Sequence, residues 1–171
     1  MNLAKPVRVL YAKVMLKIVN CDAPEHLQDA KKLFQEYSDS RSGDPALADI
    51  PREIAQLPGA YTAPSGCLLL AYHESQPVGC VALHRWSEGI AEMKRLYVQP
   101  QKRGMGVGKL LVERVIAQAM MMGYLQLRLD TIPGMDKAQA LYRAMGFKEI
   151  PPYRHNPNKG TLFFELQLSD L

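Results

Sequence analysis

The stretch from Ala91 to Met122 constrains the fold more than any other part of the chain. A strand-like segment, Ala91 to Val98, runs into a loop that holds Arg103, Gly104, Gly106 and Gly108, and the loop opens an amphipathic helix. Closely spaced glycines let backbone N–H groups turn toward one point without a Cβ in the way. The first turn of a helix adds unpaired N–H groups and a partial positive charge. Together they can hold a phosphate or pyrophosphate, with Arg103 and Lys109 as nearby cations. A Walker loop fails here: Arg103 stands where its first glycine belongs, and Leu110 follows Gly108-Lys109 where Ser or Thr is needed. A dinucleotide fingerprint fails at Lys109, the place of its third glycine. What survives is Arg-x-x-Gly-x-Gly, Arg103 through Gly106 to Gly108. The plain alternative is a flexible glycine turn that caps a helix.

Around this unit the periodicity predicts a single domain over residues 1–171. Lys13 to Asn20 reads as a first strand. Asp22 to Glu25 has the pattern of a capping box with an early proline, and Leu27, Ala30, Phe34 and Tyr37 give the following helix one apolar face. A second helix is expected over Ala46 to Gln56, ending before Pro58-Gly59. Gly66–His73, Val78–Arg85 and Ala91–Val98 read as a meander of antiparallel strands. The helix after the loop carries Val107, Leu110, Leu111, Val115, Ala119 and Met122 at helical spacing and ends at Gly123. Tyr124 to Asp130 alternates, with Leu125, Leu127 and Leu129 on one side. A last helix holds Ala138, Leu141, Tyr142 and Met145 and stops at Gly146. Phe147–Ile150 and Thr161–Leu168 close the chain as strands. The order is β-α-α-β-β-β-α-β-α-β-β. The helical crossover between Val98 and Tyr124 implies one parallel pair inside a mixed sheet.

Composition sets the setting. At 171 residues and 47% hydrophobic content the chain can bury a full core. No apolar run approaches the roughly 20 residues of a membrane helix. Val7 to Val19 is interrupted by Arg8, Lys13 and Lys17, so it reads as strand rather than signal peptide. Cys21, Cys67 and Cys80 are scattered, with no zinc spacing. Reduced thiols in a cytoplasmic protein without a metal are expected, with Cys80 as a buried structural thiol. A net charge of +4 favours an anionic ligand but lacks the basic, aromatic-interleaved runs of a nucleic-acid binder.

The loop pattern resembles the acyl-CoA pyrophosphate loop of the GCN5-related N-acetyltransferase (GNAT) superfamily. The segment Ala138 to Phe147 resembles that family's A-x-x-L-Y-x-x-x-G-F motif, and the element order is the family's order. The surrounding wording, Leu129 to Thr131 and then Ile150 to Tyr153, resembles a bacterial subgroup. The resemblance implies an α/β (α+β) fold: a mixed central sheet of about seven strands flanked by four helices. It implies acetyl-CoA as cosubstrate, with Leu96, Tyr97, Val98, Arg103, Gly104, Met105, Gly106, Val107, Gly108, Lys109 and Tyr142 at the cofactor. One departure is Met135, which stands where the family often has Asn.

Acetyl transfer to an amine requires a proton to leave the ammonium, the thioester carbonyl to be polarised and the CoA thiolate to depart. The resemblance implies direct attack in a ternary complex. Glu92 is the candidate base, at the strand start where some family members place one. A carboxylate with a pKa of about 4.3 is a poor base for an amine unless burial raises it. Lys94, on the same face of a regular strand, opposes that rise, and a bulge, common in this strand of the family, would change the facing. The other reading of Glu92 is a surface carboxylate paired with Lys94 or Lys17, with a water chain taking the proton. By resemblance the backbone N–H of Leu96 polarises the thioester, and the Val98 backbone pairs with a pantetheine amide. Tyr142, with a phenol pKa of about 10, is the candidate acid for the thiolate. Its position on an apolar stripe also fits a core tyrosine.

By family layout the acceptor site draws on His84, Arg85, Trp86, Tyr153, Arg154, His155 and Asn156. Arg154 and Arg85 could clamp a carboxylate, while Asp39, Asp44 and Asp49 could attract a cation. His84 and His155 read as ordinary polar residues ahead of bases. The expected function is acetylation of a small primary amine or amino-acid-like acceptor, with no nucleic-acid or membrane partner and with homodimerisation open. A protein N-terminal or lysine acetyltransferase and a non-catalytic acyl-CoA-binding module are the alternatives. A small nucleotide-binding dehydrogenase is disfavoured by the absent third glycine.

Overall fold

A computed structural model describes residues 16–171. Seven strands form one sheet: β1 Leu16–Asn20, β2 Cys67–His73, β3 Gln76–Ser87, β4 Ile90–Val98, β5 Gln126–Thr131, β6 Lys148–Ile150 and β7 Leu162–Gln167. Their spatial order is β1-β2-β3-β4-β5-β7-β6. Every neighbouring pair is antiparallel except β4 and β5. Four helices complete the fold: α1 Pro24–Ser40, α2 Ile50–Gln56, α3 Val107–Met121 and α4 Asp136–Ala144. The expected mixed sheet, crossover and element order are all present. The proposed strand over Lys13 to Met15 lies outside the described residues.

The sheet is buried on both faces because successive strand residues serve opposite layers. Leu69, Ala71, Val81 and Leu83 pack with Leu111, Val112 and Val115 of α3 and with Phe164. Leu68, Leu70, Cys80 and Ala82 pack with Ala30, Leu33, Phe34 and Tyr37 of α1. Gly79 permits this closeness: a Cβ there would lie 2.7 Å from the carbonyl oxygen of Tyr97.

Three local expectations are corrected. Helix α1 starts at Pro24 after Ala23, and no side chain caps it, so Asp22 and Glu25 form no capping box. Asp22 instead approaches His26, at 3.4 Å. The helix expected from Ala46 to Gln56 is split into a 3-10 turn, Pro45–Leu47, and α2. Pro51 is the cause, because a proline fits the first turn of a helix but not its interior. Strand β5 begins at Gln126, since the N–H groups of Leu125 and Gln126 both donate to the carbonyl of Gly89. Leu125 is therefore outside the alternation and 61% exposed.

Candidate active site

The cleft arises from the sheet itself. Strands β4 and β5 pair only from Ile90 to Glu92. Beyond that point their ladder ends and a cleft of about 240 Å³ opens between Met93–Leu96 and Leu129–Ile132. Its lining includes Tyr37, Arg41 and Leu47 and the segment Arg154 to Pro157. The bulge expected in β4 is present: Ala82 faces Lys94 and Cys80 faces Tyr97, so three steps of β4 span two of β3. Arg95 takes the strain with φ +58°. Its guanidinium is tied to Glu53 of α2 by bonds of 3.1 and 2.6 Å, and Tyr61 donates to the same carboxylate. The bulge falls after Lys94, so Glu92 and Lys94 keep the same facing. Backbone polar groups on the free edge of β4 require partners, and an extended ligand bearing amides can supply them.

At the far end of β4 lies the glycine loop. Gly104 and Gly106 have φ +80° and +81°, a region that glycine occupies without cost. Gly106 stands at the N-cap of α3 without a side-chain cap. The Leu110 N–H bonds back to the Gly106 carbonyl. The N–H groups of Val107, Gly108 and Lys109 have no such partner among the described residues and remain available to an anion. Met105 is exposed. Arg103 donates from Nε to the Val98 carbonyl at 3.1 Å, which folds it over the end of the strand. Lys109 is exposed and only loosely paired with Glu113, at 3.7 Å.

Tyr142 is buried in α4 and lines the cleft opposite Leu96. Its ring packs on Phe147 and Phe164. Burial, reinforced by Tyr37 and Asp130, pushes its pKa up, so at neutral pH the phenol keeps its proton. Met135 occupies the N-cap of α4 and makes no side-chain cap.

Glu92 is not a surface carboxylate paired with Lys94 or Lys17; it is 1% exposed. His84, its cross-strand neighbour, lies 2.9 Å away through Nε2, and the Tyr153 hydroxyl donates at 2.6 Å. Nε of Arg154 sits 3.1 Å from Oε2, close enough for charge but not aligned for a hydrogen bond. Burial alone would raise the Glu92 pKa, but the His84 hydrogen bond, the Arg154 charge and the Tyr153 bond outweigh it and hold the carboxyl below its ordinary value.

Of the residues expected at the acceptor end, the fold brings Arg154, His155 and Asn156 into the cleft lining, while His84 and Tyr153 sit on Glu92 outside that lining. Trp86 joins through an edge contact with Tyr153 at 5.1 Å. Arg85 is exposed and follows His84 along the strand, so it turns to the other face. Arg154 is already engaged, 2.8 Å from Asp130, and Asn156 donates to the same carboxylate. Asp44 is consumed by Arg41, Ala46 and Asn158. Asp39 bonds Gln35, and Asp49 is exposed beside Arg52. Sequence reasoning missed Arg41, Asp130 and Thr131 as cleft residues. The last two were signalled by their place at the carboxyl end of a strand of the parallel pair, where open α/β sheets hold ligands. Arg41 carried no such signal, because its helix is far away in sequence. Burial pushes the Cys67 thiol up to about 12, and Cys80, fully buried, is raised as well; both are packing groups. Among the described residues no group of three or more His, Cys, Asp or Glu is placed to hold a metal ion, and no helix is long and apolar enough to cross a membrane.

An open strand edge that leads from a glycine-loop helix to a buried tyrosine has the chemistry to suit a long, phosphate-bearing acyl carrier. The sequence profile of the acetyltransferase (GNAT) family matches residues 27–147. An uncharacterized N-acetyltransferase of Schizosaccharomyces pombe is 38% identical, over 85% of this chain and 91% of its own. The IAA acetyltransferase of Azospirillum brasilense is 34% identical, over 83% of this chain and 93% of its own. A Salmonella typhimurium protein whose structure holds its cofactor acetyl-CoA superimposes with a TM-score of 0.67 at 19% identity, over 90% of this chain and 94% of that one. The chain belongs to the GNAT family and is an acetyl-CoA-dependent N-acetyltransferase.

Proposed function

We propose that the protein acetylates the primary amine of a small, amino-acid-like acceptor by direct attack in a ternary complex. The observation that carries the small acceptor is the walling of the cleft: the Arg41–Leu47 and Arg154–Pro157 segments line it, the Asn158–Asp44 hydrogen bond of 2.8 Å joins them, and about 240 Å³ is left. A groove for a peptide would run open past those segments. The Azospirillum relative, similar over nearly its whole length, is named for acetylating a single compound, which agrees with this reading.

The residues present suit acetyl-CoA, which supplies the activated acetyl group. The loop N–H groups at Val107, Gly108 and Lys109, with Arg103 beside them, would hold its pyrophosphate. The backbone of Leu96, Tyr97 and Val98 would hold the pantetheine arm as a neighbouring strand does. The N–H of Leu96 would stabilise charge that develops on the thioester oxygen in a water-poor cleft. Tyr142 would deliver its phenolic proton to the departing sulfur and regain one from the second proton that the attacking nitrogen sheds; its raised pKa keeps it in the donor form. Glu92 holds its charge too firmly to accept a proton readily. Its role in this proposal is to hold Arg154 in the acceptor wall, with His84 and Tyr153 as its other partners, while solvent takes the ammonium proton.

The test is CoA release from acetyl-CoA, followed with a thiol reagent across a panel of amines and amino acids, with Tyr142→Phe alongside. Acceptor-dependent release that drops about a hundredfold in the variant, with the KM for acetyl-CoA little changed, is expected. Tight acetyl-CoA binding without release for any small acceptor would overturn the small-acceptor reading in favour of a protein acceptor or a binding module.

A further inference from the structure

The acceptor end of the cleft is oversupplied with hydrogen-bond donors and positive charge. Four cations line it: Arg41, Lys94, Arg95 and Arg154. Three are neutralised, Arg41 by Asp44, Arg95 by Glu53 and Arg154 by Asp130 and Glu92. Lys94 is not. Among the described residues no carboxylate lies within ion-pair distance of its Nζ, and residues 1–15 contain no Asp or Glu that could serve.

A second, independent feature points the same way. Buried polar atoms nearly always find a partner, yet Arg41 Nε and Thr131 Oγ1 are buried without a hydrogen bond, and both residues line this cleft. Thr131 is 4% exposed. Both atoms can donate. The cleft's one carboxylate, Asp130, already accepts from Arg154 and Asn156. Burial and the neighbouring charge of Arg95 hold the Lys94 pKa below its ordinary value, despite the opposing pull of Glu53 and Glu92.

The anion that this arrangement awaits is not supplied by acetyl-CoA. Its phosphates belong at the glycine loop, at the other end of β4, and the pantetheine arm and thioester are uncharged. We propose that the acceptor carries a carboxylate close to its reacting amine, and that Lys94, helped by the free donors of Arg41 and Thr131, binds it. Lys94 is then the residue that selects amino acids over simple amines. This rests on the small-acceptor reading above and narrows it.

The experiment pairs each amino acid with its carboxamide, which removes the charge and keeps the amine. Transfer is measured for wild type, Lys94→Gln and Lys94→Arg. The wild type should favour the acid over the amide in kcat/KM by about tenfold to a hundredfold, the scale of one charge-assisted hydrogen bond. Lys94→Gln should erase that preference through the acceptor KM and leave the KM for acetyl-CoA unchanged. Lys94→Arg should restore part of it. Equal use of acid and amide by the wild type, or an equal loss on both in Lys94→Gln, would overturn the proposal. A parallel measurement needs no turnover: binding of N-acetyl amino acids and of their amides to the CoA-loaded protein, followed by calorimetry. Discrimination there without any transfer would sustain the carboxylate site and sink the small-amine transferase reading. Transfer without discrimination would do the reverse.

Discussion

Glu92 shows how one side chain's environment redirects its chemistry. Three partners surround a carboxylate that is nearly fully buried, and their combined pull defeats the desolvation that would have made it a base. Glu92→Gln should weaken the acceptor wall: an increase in acceptor KM of several-fold, and a loss of stability of about 1–3 kcal/mol from the disturbed buried bonds. The acid limb of the pH–rate profile should stay in place, because Glu92 is not the group that titrates. An acid limb that vanishes in the variant would make Glu92 the base after all. The sequence offered Glu92 and Lys94 as neighbours on one face, which is where they stand. It could not show that Glu92 would turn to His84 and Tyr153, leaving Lys94 alone, because those partners come from an adjacent strand and a distant loop.

At the scale of elements, the strand–loop–helix unit from β4 to α3 was legible because its glycines and its periodicity are local signals. The left-handed geometry of Gly104 and Gly106 and the uncapped start of α3 follow from those residues alone. The break within the second helix was also written in the sequence, at Pro51. The anchoring of the β4 bulge was not. It depends on Arg95 reaching Glu53, 42 positions away, and on Tyr61 closing the same carboxylate. Arg95→Met should cost about 3–5 kcal/mol, since it leaves Glu53 half-buried and short of its cation. Thermal unfolding checks that loss. The KM for acetyl-CoA should rise with it, because Leu96 to Val98 lie just beyond the bulge. A variant with wild-type stability and KM would show that the strand keeps its geometry without the tether.

For the whole molecule, acid should be the weak side. Asp44, Glu53 and Glu92 are each pushed up by burial and pulled down further by their partners: Asn158, the Ala46 N–H and Arg41 for the first, Arg95 and Tyr61 for the second, His84, Arg154 and Tyr153 for the third. A carboxyl with a lowered folded pKa lends stability that is complete above its unfolded value and is lost as pH falls through the folded one. The Tm should therefore hold steady from neutrality to about pH 5 and fall below it, where unfolded Asp and Glu begin to take protons. A flat Tm down to pH 3 would show that these three bind no tighter than exposed carboxylates.

The seam between β4 and β5 has a further meaning. A sheet that stops pairing after three residues is a sheet one partial strand short, and on the pairing proposed above the pantetheine arm is the missing piece. On that reading each turnover fills the open edge and then empties it, and bound acetyl-CoA adds to the stability of the folded state. An enzyme of this kind is at its most durable when acetyl-CoA is plentiful.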